Sequence, residues 1–103
     1  MGVFVYLCFR LSEAVDVEDF EGDMRAMDEL AREQPGYLWA EMGQSMRDQL
    51  TYVVVSEWED IDDVRDWEHD AVHVEIQHKW RPVLQEPVIH RRFTPWEPPT
   101  QDA

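Results

Sequence analysis

The chain has 103 residues with 23 acidic and 9 basic side chains, which gives a formal net charge of −14 at pH 7. A chain of this length forms one domain with a modest core. Such an acidic protein is repelled by phosphate backbones and anionic lipids, so neither nucleic acid nor membrane is an expected partner. The acidic residues concentrate in 16–33 and 57–70, a pattern typical of solvated helix faces.

The single cysteine, Cys8, excludes an internal disulfide and is typical of a reducing compartment. The apolar run at the start breaks at Arg10 and lacks the basic region of a signal peptide. No stretch approaches the roughly 20 apolar residues that a membrane span needs. We therefore expect a cytoplasmic protein.

The first half of the chain predicts two strands around one helix. Residues 3–11 are β-branched and aromatic, typical of a strand that is apolar and buried on both faces. Asp16 is a plausible N-cap for a helix. Its apolar stripe comprises Phe20, Met24, Met27 and Leu30. Pro35-Gly36 is expected to end this helix, and residues 37–46 predict a second strand.

The second half predicts a third strand at residues 50–58, then helices and a final strand. Asp60 is expected to cap a short helix in which Ile61, Val64 and Trp67 share a face, and residues 68–71 interrupt the helical pattern. The following helix has two neighbouring stripes: Val72, Ile76 and Val83 in one, and His73, Gln77, Trp80 and Leu84 in the other. Pro82 should kink or end it. Residues 87–94 predict the last strand.

The resulting order, β-α-β-β-α-β, predicts an α+β, ferredoxin-like split βαβ fold, with an antiparallel four-stranded sheet covered by helices on one face. Residues 1–96 form this domain, and residues 97–103 are expected to be a flexible Pro-rich tail. The other sheet face would expose Phe4, Tyr6 and Cys8, among others, which predicts a homodimer with sheets packed face to face. A cleft is then expected in each subunit between its sheet and its helices.

Two phrases of the sequence resemble a known family. They are QPGYLWAEM before and within the second strand, and WEDIDDVRDWEHDAVHVEIQ after the third. Their specific elements are Pro35-Gly36, Trp58, Trp67, His73 and Gln77. The chain thereby resembles the antibiotic biosynthesis monooxygenase (ABM) family of dimeric α/β-barrel proteins. The resemblance implies a small oxygenase that uses O₂ on a phenol-, anthrone- or quinol-like substrate without a cofactor.

The residues themselves suggest how such a site works. Oxygen reacts slowly with closed-shell organic molecules, so a base must first make the substrate electron-rich, and apolar walls must exclude water. His73 is the natural base because its ordinary pKa is near 6.5. We predict His73 and Trp67 as the catalytic pair. Predicted substrate-binding residues are Trp58, Tyr52, Trp39, Gln77 and Trp80. No metal-ligating pattern is present in the sequence.

Structural roles compete with these predictions. Trp58 and Trp67 are also explained as core packing, and His73 as a residue that bonds backbone groups at a helix start. Trp39, Trp80 and Trp96 are candidates for the dimer interface, where tryptophan is enriched. His69, His78 and His90 are expected at the surface. A non-catalytic dimeric protein that binds an aromatic ligand or acts as a scaffold is the alternative function.

Haem binding is a further alternative, because the family includes haem-degrading enzymes. In that branch an Asn on the first strand and a His ten positions after the helix Trp complete the site. Here the first strand has no Asn, and Gln77 lies ten positions after Trp67. His78 is adjacent, but one helical step rotates a side chain by about 100°. We therefore predict a site without haem.

Overall fold

The computed structural model of the chain describes residues 2–99. Within this range the strands are β1 (Val3–Arg10), β2 (Tyr37–Gln44), β3 (Thr51–Trp58) and β4 (Ile89–Phe93). The helices are α1 (Val17–Arg32), α2 (Ile61–Glu68) and α3 (Ala71–Trp80), and a 3₁₀ turn at Arg81–Val83 follows α3. Every predicted strand and helix is present. Part of the expected tail, residues 100–103, lies outside the described residues.

Helix α1 begins and ends as its sequence predicts. The Asp16 carboxylate accepts a hydrogen bond from the backbone N–H of Asp19 at 3.2 Å, which satisfies a free donor of the first turn. Phe20 is 1% exposed and anchors the apolar stripe against the sheet. After the helix, Gly36 has φ +81°, a left-handed conformation that side-chain-bearing residues rarely adopt. The chain thereby turns directly into β2.

The sheet is antiparallel with strand order β2-β3-β1-β4, and together with the helices on one face it forms the predicted ferredoxin-like fold. In β1, Val5 pairs with Ser56 of β3, and Leu7 pairs with His90 of β4. Successive residues of a strand point to opposite faces. The odd-numbered residues of β1 and their partners therefore face the helices.

A β-bulge interrupts this alternation in β2. Tyr37 pairs with Trp58, whereas Trp39, two residues later, pairs with the adjacent Glu57. One residue of β2, Leu38, is therefore extra relative to β3. As a result Tyr37 points toward the helices and Trp39 points to the opposite face.

The core consists of two clusters on the helix-covered face. Val5, Ala31, Trp58 and Val64 form the first cluster. Leu11, Phe20, Tyr52 and Trp80 form the second. The Phe20 ring centre lies 5.0 Å from that of Tyr52 and 5.3 Å from that of Trp80. Trp80 is 8% exposed, so its proposed place in a dimer interface is wrong.

The predicted interruption between α2 and α3 is present. His69 ends α2, and the Asp70 carboxylate caps α3 by accepting hydrogen bonds from the backbone N–H groups of Val72 at 3.0 Å and His73 at 3.1 Å. Val72 is 49% exposed, whereas Ile76 and Val83 of the same predicted stripe pack against the second core cluster. Because α3 starts at Ala71, its inward face is the neighbouring stripe with His73 and Trp80.

The sheet face away from the helices is uncovered in the single chain. Pairing places on this face Phe4, Tyr6, Cys8, Trp39, Val53, Val55, Ile89 and Phe93. The rings of Phe4 and Trp39 lie 6.4 Å apart, and Phe93 is 53% exposed. In the single chain, strand β1 is therefore covered on only one face. None of the helices within residues 2–99 has the length and apolar composition needed to cross a bilayer.

Candidate active site

A cleft of about 770 Å³ lies between the helix-facing side of the sheet and the helices. Both layers line it with apolar side chains, among them Leu7, Met24, Met42, Val54, Trp58 and Trp67. Its volume is typical of sites for small organic ligands, which are concave and mostly apolar with a few polar groups. Polar side chains also line the cleft, and among them His73 is buried in the helical wall.

The His73 imidazole is 4% exposed, and both of its nitrogens have partners. Nδ1 lies 2.8 Å from the backbone oxygen of Trp67. Since a carbonyl oxygen only accepts, Nδ1 carries the proton. Nε2 lies 3.1 Å from the side-chain nitrogen of Gln77, which donates to it. These bonds hold His73 as a neutral ring whose unprotonated Nε2 is covered by the Gln77 amide.

The interruption between the helices makes the first of these bonds possible. In a continuous helix the Trp67 carbonyl would accept the backbone N–H of residue 71. Here it accepts the N–H of Asp70 at 3.1 Å, one residue earlier, and also the His73 ring. The interruption between α2 and α3 therefore positions the His73 ring and also changes the direction of the chain.

Aromatic rings stack from His73 toward the sheet. The His73 and Trp67 ring centres are 4.1 Å apart with planes 18° apart. Trp67 in turn stacks on Trp58 at 6.1 Å and 24°. The Trp58 indole N–H donates to the buried Ser56 hydroxyl at 3.0 Å. These rings form a continuous wall in which polar partners fix the Trp58 indole and the His73 imidazole.

Burial lowers the pKa of His73 below its ordinary value. Its bond to the Trp67 carbonyl and the charges of Asp70 and Glu68 act in the opposite direction without overcoming this effect. Taking a charged imidazolium out of water is costly. His73 is therefore neutral near pH 7, the protonation state that a general base needs.

The structure brings together five of the seven predicted site residues. His73, Trp67, Trp58, Gln77 and Trp80 all line the cleft. The Trp80 indole N–H donates to the Asp23 carboxylate at 2.8 Å, so it is not free to bind a ligand.

Tyr52 and Trp39 do not line the cleft. Tyr52 is 3% exposed and packs between Phe9 and Phe20, where burial raises the pKa of its hydroxyl. Trp39 lies on the opposite face of the sheet because of the β-bulge, and its indole N–H donates to the Glu57 carboxylate at 2.7 Å. Neither side chain reaches a ligand between the sheet and the helices.

Two cleft residues, His90 and Glu68, did not emerge from the sequence. His90 was expected at the surface and is exposed, and it also lies on the helix-facing side of β4, where it lines the cleft with Glu68. The two side chains are 3.2 Å apart. Pairing the first and last predicted strands with Leu7 opposite His90 would have placed His90 on the helix-facing side. The sequence alone does not give the register of that pairing.

The helical positions that correspond to the haem-degrading branch offer no free ligand. A haem iron needs an axial ligand such as an imidazole nitrogen with a free lone pair. Both nitrogens of His73 have partners, Gln77 occupies the position expected for the ligand, and His78 is exposed. Residues 2–99 also contain no group of three or more histidine, cysteine or carboxylate side chains that could hold a metal ion.

A sequence model described as "Antibiotic biosynthesis monooxygenase" (ABM) matches residues 13–79. The match spans well over half of the chain, and the chain belongs to this family. It includes α1, β2, β3, α2 and nearly all of α3, and therefore both walls of the cleft around His73. Comparison with curated protein sequences gives no significant match.

Solved structures share the whole fold at low sequence identity. Rv0793 from Mycobacterium tuberculosis superposes with a TM-score of 0.84 at 13% identity, over 97% of this chain and 100% of its own. A conserved protein from Methanosarcina mazei Go1 gives 0.83 at 13%, over 90% and 91%. SnoaB, a cofactor-independent oxygenase from Streptomyces nogalater, gives 0.80 at 18%, over 94% and 95%. At these identities the likeness concerns the fold alone.

Proposed function

We propose that the protein is a cofactor-independent monooxygenase that oxidises a small electron-rich aromatic substrate with O₂. The observation that supports this most is the neutral, buried His73, fixed between the Trp67 carbonyl and Gln77 in the wall of an apolar cleft. Family membership and the fold similarity to the oxygenase SnoaB support the same class of reaction. Phenols, quinols and anthrones are the substrate types that fit this chemistry.

The first step is removal of a proton from the substrate. Nε2 of His73 is the only nitrogen of that ring able to accept one, because Nδ1 already carries a proton. The Gln77 amide covers Nε2 at 3.1 Å and must move away as substrate enters. Once displaced, its N–H groups are close to the base and able to donate to the oxygen of the new phenolate or enolate.

The oxidation then balances without a cofactor. For an anthrone, His73 takes one proton of the CH₂ group, and the carbanion passes one electron to O₂. The two radicals combine to form a C–O bond, and the peroxide oxygen takes the proton back from His73. Loss of water from the hydroperoxide leaves a carbonyl group. One CH₂ group and one O₂ thus give one C=O and one H₂O.

The aromatic wall protects these intermediates. Trp67 and Trp58 offer flat apolar surfaces on which a planar substrate can stack, and Met24 and Met42 add adaptable contacts. Excluding water strengthens the interactions of the base with the anion and prevents side reactions of the radical pair. Trp67 also holds His73 through its carbonyl, so it contributes both a wall and the orientation of the base.

Oxygen uptake tests the proposal directly. Purified protein, checked by absorbance for haem and flavin, is supplied with a dihydroxyanthrone or a dihydroxynaphthalene in an oxygen electrode. We expect uptake with quinone formation, and a loss of roughly 10²–10⁴-fold in His73→Ala, as is typical when a general base is removed. His78→Ala, an exposed imidazole on the same helix, is the matched control and should match the wild type. If neither substrate supports oxygen uptake, or if His73→Ala keeps the wild-type activity, the proposal is wrong.

Ligand binding without catalysis is the second candidate, and the covered Nε2 of His73 favours it. If Gln77 stays in place when a ligand binds, no base is available. Tryptophan fluorescence quenching by an anthraquinone, without any oxygen uptake from the reduced compound, would indicate this function.

We also propose that the protein is a homodimer. The uncovered sheet face is supporting evidence, because contiguous apolar patches of this kind are rare on monomers. A second copy of the chain would cover this face, and both subunits would contribute the same residues to the interface. Light scattering after size exclusion should give twice the chain mass for the wild type and the monomer mass for Phe93→Glu. His78→Ala, on the other side of the molecule, should stay dimeric, and a monomeric wild type refutes the proposal.

A further inference from the structure

A second imidazole, that of His90, faces the cleft from the wall opposite His73. His90 pairs with Leu7 across the sheet, so it projects from the helix-facing side of β4. His73 projects from α3, in the helical layer. The cleft is therefore lined by one imidazole from the sheet and one from the helices.

Glu68, the last residue of α2, holds His90 in this position. A carboxylate oxygen of Glu68 lies 3.2 Å from Nε2 of His90, and its other oxygen accepts from the Arg92 guanidinium. The same carboxylate lies close enough to His73 for its charge to act on that ring. Glu68 thus contacts His90 directly, and its charge also acts on His73 without a direct contact.

The two rings differ in which nitrogens are available. Both nitrogens of His73 have hydrogen-bond partners. Among the described residues, His90 has a polar contact only at Nε2, and its Nδ1 has no hydrogen-bond partner. The His90 side chain is 38% exposed, whereas His73 is 4% exposed, so solvent reaches His90 more readily. These properties suit a proton donor that is recharged after each turnover.

We infer that His90 is a second catalytic residue, a general acid for the collapse of the hydroperoxide, and this inference rests on the proposed function. In that step His73 takes the remaining C–H proton, and the electrons of the C–H bond form the C=O bond. The O–O bond breaks, and the leaving hydroxide takes a proton from His90 to become water. His73 is then protonated and His90 neutral. A proton passes from one to the other through solvent beside Glu68, which restores the starting state.

An acid role for His90 explains why Glu68 contacts His90 as well as Arg92, since holding β4 against α2 does not require both contacts. The ion pair of Arg92 with Glu68 already joins β4 to α2. His90 adds a second contact to the same carboxylate, while its other ring nitrogen has no hydrogen-bond partner among the described residues. A base on one wall and an acid on the other provide the two simultaneous proton transfers that elimination of water requires.

The test separates oxygen uptake from quinone formation in His90→Gln, with a dihydroxyanthrone as substrate. Oxygen is followed by electrode, quinone by absorbance, and hydroperoxide with a ferrous-ion dye assay. The wild type should form one quinone per O₂ with no free hydroperoxide. His90→Gln should still consume O₂, but its quinone yield should fall at least about tenfold as hydroperoxide accumulates. His78→Gln is the matched control and should retain the wild-type ratio.

Two results overturn the inference in distinguishable ways. A wild type that consumes no O₂ removes the proposed function, and the acid role falls with it. If the wild type consumes O₂ and His90→Gln still forms one quinone per O₂ without free hydroperoxide, only the acid role of His90 is wrong. Circular dichroism checks that the variant is folded. If it is not, Glu68→Gln provides the second measurement, since it keeps the side-chain shape but loses the charge beside His90, and it should also release hydroperoxide.

Discussion

The neutral His73 should make the stability of the protein depend on pH in a defined window. The imidazole has an ordinary pKa near 6.5 when the chain is unfolded, and burial lowers its pKa in the fold. As the pH falls below about 6.5, the unfolded chain binds a proton that the folded chain does not. Stability is therefore fully present above this pH and is lost as the pH falls toward the lowered pKa. Protonation also places a proton on Nε2, which faces the Gln77 amide.

The magnitude follows from one proton. The slope is at most 2.303RT, about 1.36 kcal/mol per pH unit, so the loss between pH 6.5 and 5.0 is at most about 2 kcal/mol. His73→Asn is the matched variant, because the Asn amide nitrogen can replace Nδ1 as a donor to the Trp67 carbonyl but does not titrate. The difference between wild type and variant isolates His73 from every other group.

Urea unfolding followed by tryptophan fluorescence measures the effect. The midpoint of the wild type should decrease from pH 7 to pH 5 more steeply than that of His73→Asn. Asp23, whose pKa is lowered by its hydrogen bond from Lys79, titrates below this range. His78→Asn should retain the wild-type slope. Equal slopes for wild type and His73→Asn, or a wild type that gains stability on acidification, would refute the reasoning.

Three further variants test the fold around the site. Phe20→Ala should cost about 3–5 kcal/mol in urea unfolding, because it leaves a cavity beneath Tyr52 and Trp80; a cost below about 1 kcal/mol would mean that the core collapses around the gap. Asp70→Ala removes the cap of α3 and should cost about 1 kcal/mol together with part of the oxygenase activity, whereas an intact activity would separate the cap from the placement of His73. Gly36→Ala should cost at least about 1–2 kcal/mol from its positive φ, and a methyl group there also meets the Asp63 carboxylate. Gly36→Ala combined with Asp63→Ala should recover only the part due to that contact, and full recovery would contradict the role of the backbone angle.

The sequence predicted the elements well because their signals are local. Asp16, Asp60 and Asp70 each precede a helix and accept hydrogen bonds from its first turn. Pro35-Gly36 stops α1 for equally local reasons. The position of His73 at the start of α3, and its contact with a backbone carbonyl, likewise follow from a short stretch of chain.

The errors arose where two distant segments had to be aligned. Trp39 was predicted to bind substrate, but the bulge in β2 places it on the face opposite Tyr37. His90 was expected at the surface and is exposed, but the sequence did not show that it also lines the cleft. Val72 was predicted to share an apolar stripe with Ile76 and Val83, but it is exposed because the exact start of α3 decides which residues face inward. Pairing register and helix phase are tertiary properties, so a single sequence constrains them weakly.

The extra residue in β2 has a consequence for how such proteins can diversify. Deleting Leu38, which is 45% exposed, would leave Tyr37 opposite Trp58 and Trp39 opposite Glu57 as consecutive residues, so both side chains would keep their present faces. A change of one codon in length at this point is thus absorbed by the bulge. The edge strand can therefore gain or lose a residue here without exchanging side chains between the cleft and the bare sheet face.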